Sequence, residues 1–405
     1  MRYSTSALAL AASASAQYSS DLLPSNPGGA VPAGIQAPST SGFQNATIQP
    51  ARGGLAVCSS GYVDVQATTS KNLKLNFELP TNQSQVTETF LKMITSGSSF
   101  AQELVGGMQS VNGTYKIAAT LCTPANNTQP DQVQILTHGI GFDRYYWDFA
   151  PGYSWVDVAA QYDHATFFYD RLGVGKSEKP DALNVVQGPL EVEIAHQLIG
   201  KLKAGQFGNF SKVVGVGHSF GSIITQAITS QYPSDLDAAV LTGFSANSSA
   251  LPVFITGLNL ALATSNAPYR FATIPQGYLV SDTAISNQIG FLKAPGFDPE
   301  IANLAEATKG TVTFGELFSQ SAPTMPAMNY TGLVAVVNGA NDLPFCFGNC
   351  SYPTNLALGA LNKLYPMTNK TGAYLARDAG HGVNLHYSAV AAYHFAQDFV
   401  NSYIM

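Results

Sequence analysis

Gly217-His218-Ser219-Phe220-Gly221 sets one serine between two glycines, after the apolar stretch "SKVVGVG" and ahead of the helical pattern "GSIITQAITSQY". A serine hydroxyl is a weak nucleophile. It gains strength when a base takes its proton and an acid orients that base. A sharp strand-to-helix turn suits the chemistry, because it exposes the hydroxyl above a sheet edge. The same turn aims the next backbone N–H, that of Phe220, and the helix N-terminus at one point. Side chains two residues to either side would crowd such a turn, which accounts for Gly217 and Gly221. A G-x-S-x-G pattern also occurs in idle structural turns, so Ser219 is judged by whether partners exist.

In a strand–turn–helix site of this kind the chain order is serine, acid, histidine. The stretch "GLVAVVNGANDLPF" puts Asp342 in the turn after a late apolar strand. The strand before it, "AAVLTGF", ends without a carboxylate. "YLARDAGHGV" puts His381 in a loop after the last strand, between two glycines. His138, His164, His196 and His218 precede the serine. His386 and His394 fall in the closing helical pattern and read as structural, and Asp378 is too near His381 in sequence to face its ring. Together Ser219, His381 and Asp342 could transfer an acyl group through a covalent intermediate, which needs no cofactor or metal. The loop His138-Gly139-Ile140-Gly141 follows the early strand "VQILT" and resembles the HG-containing oxyanion loop of lipases and esterases. Ile140 is expected to give one oxyanion donor, with Gly139 as the alternative, and Phe220 the other.

Four stretches, "THGIG", "YDRLGVGKS", "GHSFG" and the ordered pair Asp342 and His381, resemble a serine hydrolase of the α/β-hydrolase superfamily over about residues 115–405. The resemblance implies an α/β fold, a doubly wound and mostly parallel sheet, and a structural, pocket-shaping role for "DRLGVGKS". That segment lacks the G-x-x-x-x-G-K spacing of a phosphate-binding loop. Superfamily members that open epoxides or remove halides carry Asp at the nucleophile position, so Ser219 points to acyl transfer. The expected function is hydrolysis of a carboxylic ester with an apolar substrate. A lactone or C–C bond hydrolase, a peptidase and a non-catalytic binding protein on the same fold stay open. Phe142, Tyr145, Tyr146 and Trp147 follow the oxyanion loop and fit either an apolar acyl pocket or ordinary core.

The elements that must carry these residues alternate. "VQILTH", "ATFFYD", "SKVVGVG", "AAVLTGF", "GLVAVVNG" and "GAYLARDAG" read as strands, separated by helical patterns such as "PLEVEIAHQLIGKLKAGQF". Residues 248–330 break the rhythm. They are too long for a connection and hold helix-like pieces, which predicts an inserted helical cap. Ahead of the resemblance, "YVDVQAT" and "LKLNFEL" read as strands and "VTETFLKMITSGSSFAQEL" as a helix. Residues 17–54, rich in Ser, Pro, Gly and Ala, read as a disordered lead-in, with the hydrolase domain spanning 55–405.

Composition bounds the rest. The 405 residues carry a net charge of −6 and only 11% charged side chains, with no basic run, which excludes nucleic acid as a partner. Arg2, the apolar Ala7–Ala12 and the small residues Ala14-Ser15-Ala16 make residues 1–16 a signal peptide, with Gln17 as the mature start. No stable membrane span is expected, and the protein is expected to be secreted. Nine N-x-S/T triplets fit a glycoprotein, and the four cysteines are expected to pair as Cys58–Cys122 and Cys346–Cys350.

Overall fold

A computed structural model describes residue 31 and residues 35–321, 323–368 and 370–404. The expected leader at 1–16 lies outside these residues, as does Asn369.

Among the described residues nine strands form one sheet, in the order β1-β2-β3-β5-β4-β6-β7-β11-β12. Six of them, β4 (Gln132–Thr137), β5 (Ala165–Tyr169), β6 (Lys212–His218), β7 (Ala238–Thr242), β11 (Leu333–Gly339) and β12 (Thr371–Ala376), pair in parallel. The central ones are buried on both faces, which is why they read as unbroken apolar runs. Helices flank the sheet: α2 (Trp155–Gln161) packs with the C-terminal α9 (Ala389–Ile404), and α3 (Gly188–Lys203) with α4 (Phe220–Gln231). Pro189 at the start of α3 and Lys201 and Lys203 in its last turn suit the two ends of that helix.

The other edge is antiparallel. β2 (Ala56–Leu75) and β3 (Val105–Pro124) are each 20 residues long and pair almost throughout, and β3 pairs with β5. The two strands expected at 62–68 and 73–79 are not separate. β2 runs through the first and into the second, ending at Leu75; a register shift between Thr69 and Asn72 occupies the supposed break, and another follows between Leu73 and Leu75. Cys58 faces Cys122 across this ladder and is bonded to it; Cys346 is bonded to Cys350. The helix expected over 86–104 is α1 (Gln83–Ile94) plus a separate helical turn at Phe100–Leu104.

Order begins before Leu55. β1 (Gln44–Pro50) lies inside the expected lead-in and pairs antiparallel with β2. Its residues are mostly exposed, so no apolar alternation marks it; main-chain bonds to β2 supply the order.

Between β7 and β11 the chain builds more than a helical cap. It forms α5 (Leu251–Leu258), β8 (Ala261–Leu262), β9 (Tyr278–Val280), α6 (Ala284–Phe291), α7 (Pro299–Ala307), β10 (Val312–Thr313) and α8 (Phe314–Ser319). The three short strands make an antiparallel sheet of their own, with the order β10-β9-β8. Strands of two or three residues show no period in a sequence. A small separate core joins Ala263, Ala267, Phe271, Tyr278 and Val280 to Ala182 of the main domain. The helix α1 also belongs to this region by contact: the Gln83 side chain bonds Leu260 O (3.0 Å) and Leu262 N (3.1 Å).

Candidate active site

The site lies beyond the carboxyl ends of the parallel strands, where open α/β sheets place their ligands. Ser219 follows the last residue of β6 and precedes the first residue of α4. Its φ of 55° and ψ of −117° are a strained conformation for a residue with a side chain. The surroundings over-determine it. Its N–H donates to the Thr242 carbonyl at 2.9 Å, and the Ser222 hydroxyl donates to the same oxygen at 2.8 Å. The glycines are required by packing. A β-carbon on Gly217 would strike the Gly221 backbone, and one on Gly221 would strike the Thr137 carbonyl.

Asp342 stands in the turn after β11. Neighbouring strand ends hold that turn: Ala340 N–H donates to Ala376 O (2.8 Å) and Asn341 N–H to Ala379 O (2.9 Å). The bonded cysteines close the loop that follows, and Asp342 caps its helical turn, with Oδ1 accepting from Phe345 N–H at 2.9 Å. His381 follows β12 in a loop whose Gly382 N–H donates to Phe291 O at 2.8 Å.

These three side chains meet. His381 Nδ1 lies 2.6 Å from Asp342 Oδ2, and His381 Nε2 lies 2.7 Å from Ser219 Oγ. A carboxylate only accepts, so Nδ1 carries the ring proton and Nε2 is left to accept from the Ser219 hydroxyl. Ser219 is 6% exposed, and His381 and Asp342 are fully buried.

The loop at 138–141 passes beside the serine: a β-carbon on Gly139 would sit 2.9 Å from Ser219 Cβ. Ile140 is buried next to it. Phe220 opens α4, where an N–H has no partner within the helix.

Aromatic rings surround His381. Phe254 of α5 is edge-on at 5.5 Å between ring centroids, and Phe291 of α6 lies parallel at 6.0 Å. Of the four aromatic residues that follow the loop at 138–141, Phe142 touches Phe291 (4.8 Å) and Tyr146 stacks on His218 (4.4 Å). Trp147 packs in the core against Trp155, and Tyr145 lies under the Arg52 and Arg144 guanidiniums. His138 and His218 are buried, and burial above all holds both well below the usual histidine range, with Arg171 adding to it at His138. Both therefore stay neutral beside the site.

Two residues in the site's frame were not legible as such. His386 does not lie in the closing helix; it precedes it, and its ring ties the His381 loop to the inserted segment. Its Nδ1–H donates to Gly382 O (2.8 Å), while Nε2 accepts from Gly380 N–H and Lys293 N–H (3.0 Å each). Burial pushes its pKa down to about 4. Arg171, in "DRLGVGKS", bonds the His138 carbonyl. No sequence signal reveals either role, because both depend on contacts between distant segments. Among the described residues no group of His, Cys, Asp or Glu is placed to hold a metal ion, and no helix is long and apolar enough to cross a membrane.

Residues 134–393 match the family model described as alpha/beta hydrolase family. No curated protein matches the chain. Among solved structures, an alpha/beta hydrolase fold protein from Chitinophaga pinensis is 14% identical over 71% of this chain and 94% of its own (TM-score 0.49). A putative non-heme bromoperoxidase, BpoC, from Mycobacterium tuberculosis is 16% identical over 71% and 96% (TM-score 0.48). A thermophilic esterase from Thermogutta terrifontis is 14% identical over 72% and 94% (TM-score 0.44).

Proposed function

The chain belongs to the alpha/beta hydrolase family, and from that premise we propose that it hydrolyses a carboxylic ester through a covalent acyl intermediate on Ser219. The observation that carries this reading is the buried chain of hydrogen bonds from Ser219 through His381 to Asp342. Ser219 Oγ attacks the ester carbonyl carbon while His381 Nε2 takes the hydroxyl proton. Asp342 holds the ring in the required tautomer and stabilises the imidazolium. The carbonyl oxygen becomes an oxyanion, held by the N–H groups of Ile140 and Phe220. The tetrahedral intermediate collapses, and the alcohol leaves with the proton from Nε2. Water then attacks the acyl carbon, gives its proton to His381, and the acid is released with Ser219 restored.

The rings of Phe142, Phe254 and Phe291 around the site favour an apolar acyl group. Two disulfides support an oxidising compartment. Asn45, Asn82, Asn112, Asn126, Asn209, Asn247, Asn329 and Asn349, which head eight of the N-x-S/T triplets, are all exposed, as a secreted glycoprotein needs.

The test is a series of p-nitrophenyl esters of increasing acyl length, with a fluorophosphonate probe. The wild type should turn over the esters and be labelled at Ser219. Ser219→Ala should lose both, with kcat down about 10⁶-fold. Labelling that persists in Ser219→Ala sinks the assignment. N-terminal sequencing of the protein from the medium of a eukaryotic host should begin at Gln17; a start at Met1 contradicts the secretory reading.

A further inference from the structure

Arg171 stands just past β5, and its side chain is fully buried. Its own N–H donates to His138 Nε2 and its Nε–H to the His138 carbonyl, each at 3.1 Å. It thus holds the residue two places ahead of Ile140 by both ring and main chain. Its guanidinium lies over the Phe220 ring, 4.7 Å from the centroid. One side chain therefore touches both segments that present the oxyanion donors.

The far end of the guanidinium is held by two carboxyl groups. Nη1 donates to Glu191 Oε2 of α3 at 2.7 Å and to Glu316 Oε1 of α8 at 2.5 Å. Of the four residues that Arg171 touches in this way, Glu316 alone belongs to the inserted segment. Its carboxylate is itself fixed. Oε2 accepts from Thr313 N–H at 2.7 Å, while the Thr313 hydroxyl accepts from Glu316 N–H at 3.0 Å, which is a capping box at the start of α8. The carboxylate cannot move without the helix that bears it.

One cation faces two carboxyl groups, and all three are almost without solvent. Burial pushes the Glu191 carboxyl well up; Arg171 pulls it down and Glu316 adds to the rise. Removing Glu316 leaves Arg171 its bond to Glu191 of α3, so the cation keeps a partner on the main domain and loses its tie to the inserted segment.

Resting on the ester-hydrolase reading above, we propose that Arg171 is the positioning residue of the oxyanion site and that Glu316 makes this positioning depend on the seating of α8. The donors at Ile140 and Phe220 are then aligned only when the inserted segment is docked, which couples the segment over the site to the rate of acyl transfer.

The experiment uses the full chain and compares wild type with Glu316→Ala. Three quantities are read: kcat and KM on a short p-nitrophenyl ester, and Ki for a small trifluoromethyl ketone, which forms a tetrahedral oxyanion adduct on a serine. Displaced donors should lower kcat by about 10- to 100-fold and raise Ki by a similar factor. KM should stay within about twofold, because ground-state binding does not use the oxyanion. Should Glu316→Ala fail to fold, Glu316→Gln keeps the shape and a neutral hydrogen bond; a smaller fall in kcat matched by the rise in Ki is then expected. The inference is overturned by unchanged kcat and Ki, by a change confined to KM, or by a fall in melting temperature with full activity per folded molecule. A wild type that the fluorophosphonate does not label at Ser219 overturns the ester reading; a labelled wild type with an unmoved Glu316 variant overturns this inference alone.

Discussion

At the ends of β6, β11 and β12, the three aligned side chains stand on turns that are hydrogen-bonded to neighbouring strand ends. Ser219 N–H is bonded to Thr242 O, Ala340 N–H to Ala376 O and Asn341 N–H to Ala379 O. The inserted segment meets the same site differently. It brings the rings of Phe254 and Phe291, the Glu316 carboxylate and a few main-chain groups, and it carries a small core of its own. The first arrangement fixes positions to within a hydrogen bond. The second, Glu316 apart, surrounds them with side chains that can differ without moving the strand ends. If the two regions divide the work in this way, changes at the strand ends should alter the rate for every substrate, and changes in the inserted segment, Glu316 apart, should alter the choice among substrates.

The most severe test of the strand-end half is Asp342→Asn. An amide at Oδ2 cannot hold His381 in the same tautomer, and kcat should fall about 10⁴-fold for short and long esters alike. The remaining Oδ1 can still accept from Phe345 N–H, so circular dichroism melting should show an intact fold. A loss that depends on acyl length would break the division.

A second test addresses the seam between the regions. His386 can accept from Lys293 and Gly380 N–H groups only while neutral. Burial holds its folded pKa down to about 4, against about 6.5 in an unfolded chain. Between these values the unfolded state binds the extra proton, so stability falls as pH drops from about 6.5 towards 4 and then levels off. The span is worth about 3 kcal/mol. His138 and His218 are also held neutral and add their own slopes, so the informative quantity is the difference between wild type and His386→Gln. The variant should lose less stability over that range, measured by denaturant unfolding at several pH values. Parallel profiles would remove His386 from the seam.

The smallest effect is expected from Phe291→Leu. The apolar contact is kept and the ring is lost. The ratio of kcat/KM between long and short acyl esters should shift about tenfold, while labelling by a small fluorophosphonate keeps its rate. An equal change for every chain length would place Phe291 with the strand ends.

The same contrast explains what the sequence made legible. Ser219 and Asp342 could be found because each follows a parallel strand buried on both faces, which leaves an unmistakable apolar run, and His381 because it stands between two glycines in the loop after the last strand. β1 left no such mark, because its exposed residues are ordered by main-chain bonds to β2. The strands β8 to β10 are too short to show alternation. Arg171 stood in a recognised motif, yet its grip on His138 and Glu316 spans segments 33 and 145 residues away, and no local pattern encodes such a meeting. His386 was misread because the helical pattern of the C-terminus extends over a residue that precedes the helix itself.

The strained backbone at Ser219 bears on how such a site can change by descent. The two proposed oxyanion donors are peptide N–H groups, which every amino acid except proline possesses. A change at Ile140 to any residue but proline therefore leaves that N–H in place and alters only how the buried side chain packs. Phe220 is less free, because its ring also lies under Arg171. Ser219 is freer than its chemistry suggests in one respect and more confined in another: a single base change can remove the nucleophile, but a new one cannot be raised at a neighbouring position without rebuilding the tight turn between Gly217 and Gly221. Lineages built on this turn can drift in what they accept far more readily than in where they react.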